Sequence, residues 1–188
     1  LQKHEPNLSE EIVAALYAPT AGIISPYRLV YDMAENALRN GVEIYTKTKV
    51  THIKRLDPFF EITTSGAAFQ TRYVINAAGL FADDIARMVG IDDFVIKPRK
   101  GEEFILDKKK ERLANHLIFP LPTATSKGVL VIKTADGNPM IGPTAQDVDD
   151  KEDLTTSEEG LDKVLNGVQR MIPAIDKKDI IAYFAGLR

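Results

Sequence analysis

Between residues 94 and 184, six short apolar runs alternate with turn signals, and a single helical stripe interrupts them. The runs cover residues 94–96, 103–106, 116–119, 128–134, 139–142 and 180–184. Runs this short, punctuated by Gly, Pro, Asp and Asn, predict a mostly antiparallel sheet. Asp136, Gly137 and Asn138 separate two of them and predict a hairpin. The interrupting helix opens at Thr156, where Glu159 three residues on makes a capping box. Leu161, Val164, Leu165, Val168 and Met171 form its apolar stripe, and Pro173 stops it. The acidic stretch 147–153 reads as a solvated loop.

The first half has a different texture. Residues 9–18 predict a short helix with Ile12, Val13 and Leu16 on one face. Ser25 and Pro26 supply an N-cap and a first helical residue, and apolar positions from Leu29 to Leu38 recur at helical spacing. Asn40 and Gly41 end that helix. Short strands are expected at 42–45, 50–53, 59–64 and 68–71, joined by turns at Asp57-Pro58 and Ser65-Gly66. Residues 73–76 are short and, up to Asn76, apolar, and predict a buried parallel strand. They run directly into Ala77, Ala78 and Gly79, and a helix follows over 81–89. A turn of small residues there admits two readings: close approach of backbone to a ligand, or tight packing of helix against strand.

The fold class is therefore α+β. Residues 1–41 form a helical segment, 42–90 an antiparallel excursion returning to one strand and helix, and 91–188 a sheet with one long helix against it.

Composition narrows the function. The 188 residues carry 24 Lys and Arg against 27 Asp and Glu, a net charge of −3. A nucleic-acid binder that works by displacing counterions is disfavoured. No apolar run approaches the roughly 18 residues of a membrane-spanning helix. The absence of Cys excludes disulfides, thiolate metal sites and thiol nucleophiles within these residues and fits a cytoplasmic protein, with contact at the inner face of the membrane left open. His4, His52 and His116 are too dispersed for a local metal cluster, and no metal site is expected. No two glycines lie two residues apart, so no Rossmann phosphate turn is present, and no G-x-x-x-x-G is followed by Lys and Ser or Thr, so no P-loop is present either.

The run from Val74 to Asp83, with its Asn76-Ala77-Ala78-Gly79 core, resembles the second nucleotide-contacting segment of FAD-dependent oxidoreductases of the D-amino-acid-oxidase-like superfamily. The resemblance continues in order along nearly the whole chain. It takes in Glu5-Pro6-Asn7-Leu8, Gly22-Ile23-Ile24-Ser25-Pro26, Val50-Thr51-His52-Ile53, Lys97-Pro98-Arg99-Lys100-Gly101-Glu102, Asp136 to Thr144, and the closing Ala185-Gly186-Leu187-Arg188. Within the superfamily the chain is most similar to the FAD-dependent glycerol-3-phosphate dehydrogenases of the bacterial anaerobic-type branch. Single runs are weak motifs; their number and order carry the likeness.

The resemblance implies a flavoenzyme that oxidises glycerol 3-phosphate to dihydroxyacetone phosphate with FAD as hydride acceptor. A 2-hydroxy acid such as 2-hydroxyglutarate, or an amino acid, is the alternative substrate; an isolated non-catalytic substrate-binding module is the alternative of another class. Residues 42–90 would be an interior piece of the FAD-binding domain and 91–188 the substrate-binding domain. By the same likeness Val50, Ala77, Ala78 and Gly79 would contact FAD. Arg188 would hold the anionic end of a small substrate, since a guanidinium clamps phosphate or carboxylate with paired hydrogen bonds. Lys100 with Arg99, and Thr134 with Lys133, are further substrate-side candidates. No catalytic base and no electron acceptor can be named.

Such enzymes also carry a G-x-G-x-x-G segment and a Gly-rich flavin-contacting segment that these residues lack. The chain starts at Leu1 and stops directly after an apolar strand run. It is accordingly read as an internal piece of a longer protein, expected to hold FAD weakly or not at all by itself; a protein with a trimmed tail is the other reading of those ends.

Overall fold

A computed structural model describes residues 1–123 and 126–188. It is a mixed helix and antiparallel-sheet structure built on two sheets. The smaller contains β1 (Val50–Arg55), β2 (Phe60–Thr64) and β3 (Ala68–Thr71), an antiparallel meander in that order. The larger centres on β4 (Arg99–Leu106). On one side of β4 lie β6 (Pro139–Gly142) and, further along the same edge, the two-residue β7 (Gln146–Asp147). β5 (Leu130–Lys133) pairs with β6 through the Asp136 hairpin, and β8 (Ile180–Leu187) pairs with the other side of β4.

β4 is buried along one face because it alternates. Phe104 and Leu106, at 2% and 0% exposure, join Val131 of β5 and Ile141 of β6 under helix α3 (Glu158–Gln169). Val164, Leu165 and Val168 of α3 complete this core, with Ile172 and Ile175 just beyond the helix. The stripe read from the sequence is the buried one. The cap lies one residue later than expected: the Ser157 side chain accepts from Gly160 N, so Ser157, not Thr156, opens the helix. Two glycines let α3 sit close. A Cβ on Gly160 would overlap the Glu102 carboxylate of β4, and one on Gly167 would meet Val129 Cγ2 at 2.9 Å.

Helix α1 (Pro26–Arg39) begins after Ser25 and ends at Asn40, as the capping residues predict, with Gly41 at φ 83°. Its apolar stripe is largely exposed, with Leu29, Val30, Met33 and Leu38 open and Ala34 and Ala37 partly covered; none of its residues is buried. Tyr27 and Arg28 reach Asp136 at the hairpin tip, at 3.4 and 3.5 Å.

Several expectations fail for one reason: local pattern without a partner. Residues 9–18 form no helix, only a turn closed by Ile12 N on Ser9 O, and Val13 and Leu16 are 91% and 100% exposed. Residues 73–76 are not a paired strand among the described residues; Tyr73 and Ile75 are 83% and 90% exposed. A strand exists only where another strand satisfies its backbone, and none lies beside this run. Residues 42–45 and 94–96 are likewise irregular, and 116–119 contributes one isolated bridge, Ile118 to Val131. No helix of the described residues is long and apolar enough to cross a membrane.

Candidate functional site

The small-residue turn is built by Asn76. Its Nδ2 donates to Ala82 O at 2.8 Å, and its Oδ1 accepts from Ala78 N at 3.3 Å. Gly79 follows at φ 57°, a conformation that favours glycine, with nothing within 4 Å of where its Cβ would stand. A single-turn helix (Gly79–Phe81) then leads into α2 (Ala82–Arg87). The turn faces the small sheet across an open, largely apolar cavity of about 370 Å³, lined among others by Val50, Ile53, Ile62, Asn76, Ala77 and Ala78. Three of the four residues expected at a cofactor therefore share one cavity, and the fourth adjoins it. Short side chains and exposed backbone suit the flat, polar-edged rings and ribose of a nucleotide, so these residues fit a part of FAD.

The turn is fixed from behind by charge. Asp83, in the first turn of α2, is 1% exposed. Its Oδ1 lies 2.5 Å from Lys151 Nζ, and its Oδ2 accepts from Ile96 N at 3.1 Å. Lys151 also lies 5.5 Å above the Phe81 ring. The Lys151 hydrogen bond holds the Asp83 carboxyl well below the ordinary carboxylate range, against the opposing effect of burial. The acidic stretch is thus not simply solvated. It sends Lys151 into α2, and Asp153 bonds Lys100 at 2.7 Å. Lys100 and the Thr155 hydroxyl bring Asp153 down from 3.8 to about 2.

The second region is the exposed rung of the large sheet where β8 ends. Arg188 and Arg99 exchange two backbone hydrogen bonds, Arg99 N to Arg188 O at 2.7 Å and Arg188 N to Arg99 O at 3.1 Å. Facing residues of an antiparallel pair share a face, so both guanidinium stems rise from the side of β4 away from α3. Arg188 Nη1 lies 3.3 Å from where a Cβ on Gly101 would stand, so a side chain at 101 would displace it. Arg99 Nη1 bonds Asp147 at 2.8 Å.

Two sequence candidates do not join Arg188. Lys100 is next along the strand and points to the opposite face, where it is 6% exposed and bonded to Asp153 and Thr155. Alternation, invisible in a basic dipeptide read as one patch, separates Arg99 from Lys100. Thr134 closes the hairpin, its hydroxyl accepting from Asn138 N at 3.1 Å, and with Lys133 it sits at the Leu106 end of the sheet. Arg188 stands at the Arg99 end, roughly 24 Å away at about 3.4 Å per residue of β4. His52 is exposed on β1. His116, which has no evident partner in the sequence, places Nδ1 2.6 Å from Glu5 Oε1. Sequence reading missed the buried carboxylates Glu5, Asp83 and Glu102; only Asp83, at a helix start, left a local signal.

A family model described as FAD dependent oxidoreductase matches residues 1–188. A glycerol 3-phosphate dehydrogenase from Caloramator mitchellensis is 41% identical over 184 residues, covering 98% of this chain and 38% of that protein. An L-2-hydroxyglutarate dehydrogenase from Salmonella houtenae is 32% identical over 149 residues, 77% of this chain and 35% of that protein. Among solved structures, the dithionite-reduced L-α-glycerophosphate oxidase from Mycoplasma pneumoniae with FAD bound superposes with a TM-score of 0.90 at 32% identity, over 100% of this chain and 50% of the other. The chain thus spans half or less of the length of these relatives.

Proposed function

The chain belongs to the FAD dependent oxidoreductase family, and from that premise we propose that it forms part of an enzyme oxidising glycerol 3-phosphate to dihydroxyacetone phosphate. The observation that carries the reading is the 41% identity to a glycerol 3-phosphate dehydrogenase across nearly the whole chain. The position of Arg188, on an open rung with its guanidinium free of any ion pair among the described residues, supports an anion-binding role for it.

In this proposal residues 42–90 are the interior piece of the FAD-binding domain and 91–188 the substrate-binding domain, with 1–41 a helical segment of the substrate/FAD region. Val50, Ala77 and Ala78 line the nucleotide side, and the free backbone of Gly79 lets the cofactor approach. The exposed α1 stripe and the unpaired run 73–76 are covered by further polypeptide of the same enzyme, consistent with relatives at least twice as long. Bound FAD supplies the hydride acceptor. The residues of this chain do the rest that the geometry supports: Arg188 orients the substrate through its phosphate, and the Asp83–Lys151 pair keeps the small-residue turn in register with the large sheet. The cysteine-free composition fits a cytoplasmic setting.

The test is an anaerobic titration of the full-length, FAD-loaded enzyme that contains these residues with glycerol 3-phosphate, following loss of flavin absorbance. Full bleaching is expected; absence of bleaching rejects the substrate. The likeness to L-2-hydroxyglutarate dehydrogenase favours a second reading, oxidation of a 2-hydroxy acid held through its carboxylate by the same arginine. Bleaching by L-2-hydroxyglutarate and not by glycerol 3-phosphate selects it.

A further inference from the structure

The face of the large sheet that carries Arg188 also carries a second polar group. Gly101 and Glu103 are two residues apart on β4 and share a face. Across the ladder Gly101 faces Gly186 and Glu103 faces Phe184. The two glycines put no side chain of their own between the Arg99–Arg188 rung and the Glu103–Phe184 rung, although Pro143 Cβ, 2.8 Å from where a Gly101 side chain would begin, covers part of the β4 side. On the β4 side of that stretch the Arg188 guanidinium folds over Gly101. On the β8 side, nothing lies within 4 Å of where a Gly186 side chain would begin. The result is a notch with a guanidinium at one end and a carboxyl at the other.

Glu103 is held in place there. Its stem packs on Gly142, whose φ of 135° and missing side chain bring that backbone to 3.0 Å of Glu103 Cγ when measured from a would-be Cβ. The carboxyl is half-buried, in contrast to the exposed Arg188. Among the described residues it makes no ion pair within 4 Å, although the Arg188 charge reaches it: burial pushes the carboxyl upward and Arg188 opposes that. Its hydrogen-bonding capacity is therefore left for a molecule in the notch.

Resting on the reading of Arg188 above, we infer that Glu103 is the second anchor of this site, accepting a hydrogen bond from a hydroxyl of an anionic substrate whose charged end Arg188 holds. Glu103 thereby sets a preference for hydroxylated over bare anions of the same charge. An anion without a hydroxyl would fill the Arg188 end and leave the Glu103 carboxyl facing an alkyl chain.

The experiment measures calorimetric affinities of the full-length, FAD-loaded enzyme for glycerol 3-phosphate and for propyl phosphate, the same ester without hydroxyls. The variants are Glu103→Leu, Glu103→Gln and Arg188→Met. The native protein is expected to prefer glycerol 3-phosphate by about tenfold, the worth of one hydrogen bond to a charged acceptor. Glu103→Leu should bring the ratio near one by weakening glycerol 3-phosphate alone. Glu103→Gln, which keeps an acceptor oxygen, should restore most of the preference and shows that the fold is intact. Arg188→Met should weaken both ligands by a similar factor. If Glu103→Leu leaves the ratio unchanged while Arg188→Met weakens both, the inference about Glu103 is overturned and the reading of Arg188 stands. If Arg188→Met changes neither affinity, the anion-binding reading fails and takes the inference with it.

Discussion

Lys151 Nζ sits 2.5 Å from Asp83 Oδ1, tying together residues that lie 68 positions apart. The pair joins the turn beside the apolar cavity to the loop leaving β7. Removing one partner leaves the other charge without its main compensation, which costs more than removing both. Lys151→Met should therefore lower the melting temperature more than the double variant Lys151→Met, Asp83→Leu. Differential scanning fluorimetry on the three proteins checks the order; equal losses would mean the pair is not coupled.

Stability should fall in acid for a stated reason. Asp83 and Asp153 both have folded-state values below their ordinary 3.8, Asp153 at about 2. A depressed carboxyl contributes its stability above the unfolded value and loses it as pH drops through the folded one. Both contributions are thus complete above about pH 4 and decline below it, that of Asp153 down to about pH 2 and that of Asp83 further still. Urea unfolding at pH 7, 4 and 3 should show a fall in midpoint between the last two. In Lys100→Met the Asp153 share of that fall should shrink to the part that Thr155 maintains.

Gly160→Ala is normally a favourable change inside a helix, worth about 1 kcal/mol. Here the new Cβ would overlap the Glu102 carboxylate, so we expect a net loss of about 1–3 kcal/mol by overpacking. Adding Glu102→Ala should recover the steric part, readable as a coupling term in a double-mutant cycle.

Burial predicts opposite behaviour for two leucines. Leu106→Ala, at 0% exposure, should cost about 2–5 kcal/mol. Leu38→Ala on α1, at 53% exposure, should change the unfolding of these 188 residues by less than about 0.5 kcal/mol. In the longer enzyme of the proposal the second value should rise toward the first.

At the site, Arg188→Met should reduce kcat/KM for the anionic substrate by about 10²- to 10³-fold in the full-length, FAD-loaded enzyme, the usual consequence of losing one side of a charged, hydrogen-bonded contact. Ala77→Leu should weaken FAD binding about tenfold by crowding the cavity, with little effect on the arginine end. The 188 residues alone should pass through gel filtration without retaining FAD; a yellow eluate would refute that.

What the sequence disclosed was what local chemistry controls. Pro26 and Gly41 marked α1 because a fixed φ and backbone freedom act within a turn, while Ser25 holds the N-cap position without a side-chain cap bond. The meander β1 to β3, the Asp136 hairpin and the α3 stripe were readable for the same reason. What stayed hidden depended on distant partners. Val74 and Ile75 have the composition of a buried strand and stand open, since no described strand lies beside them. Lys100 looked like a companion of Arg99 until the pleat sent it to Asp153, 53 residues away. At the candidate site, the joining of Val50 to Ala77 and Ala78 followed from a family likeness rather than from spacing; Glu103 emerged only once the register of β8 was known.

β4 serves two masters. Its even-numbered side chains seat α3 and the core, while its odd-numbered ones look out with Arg188. Any drift that tilts the strand to relieve packing beneath will also re-aim the guanidinium above. Heritable changes in thermal robustness and in ligand choice should therefore arise together in this segment, and a lineage adapting to heat would be expected to retune its substrate preference along the way.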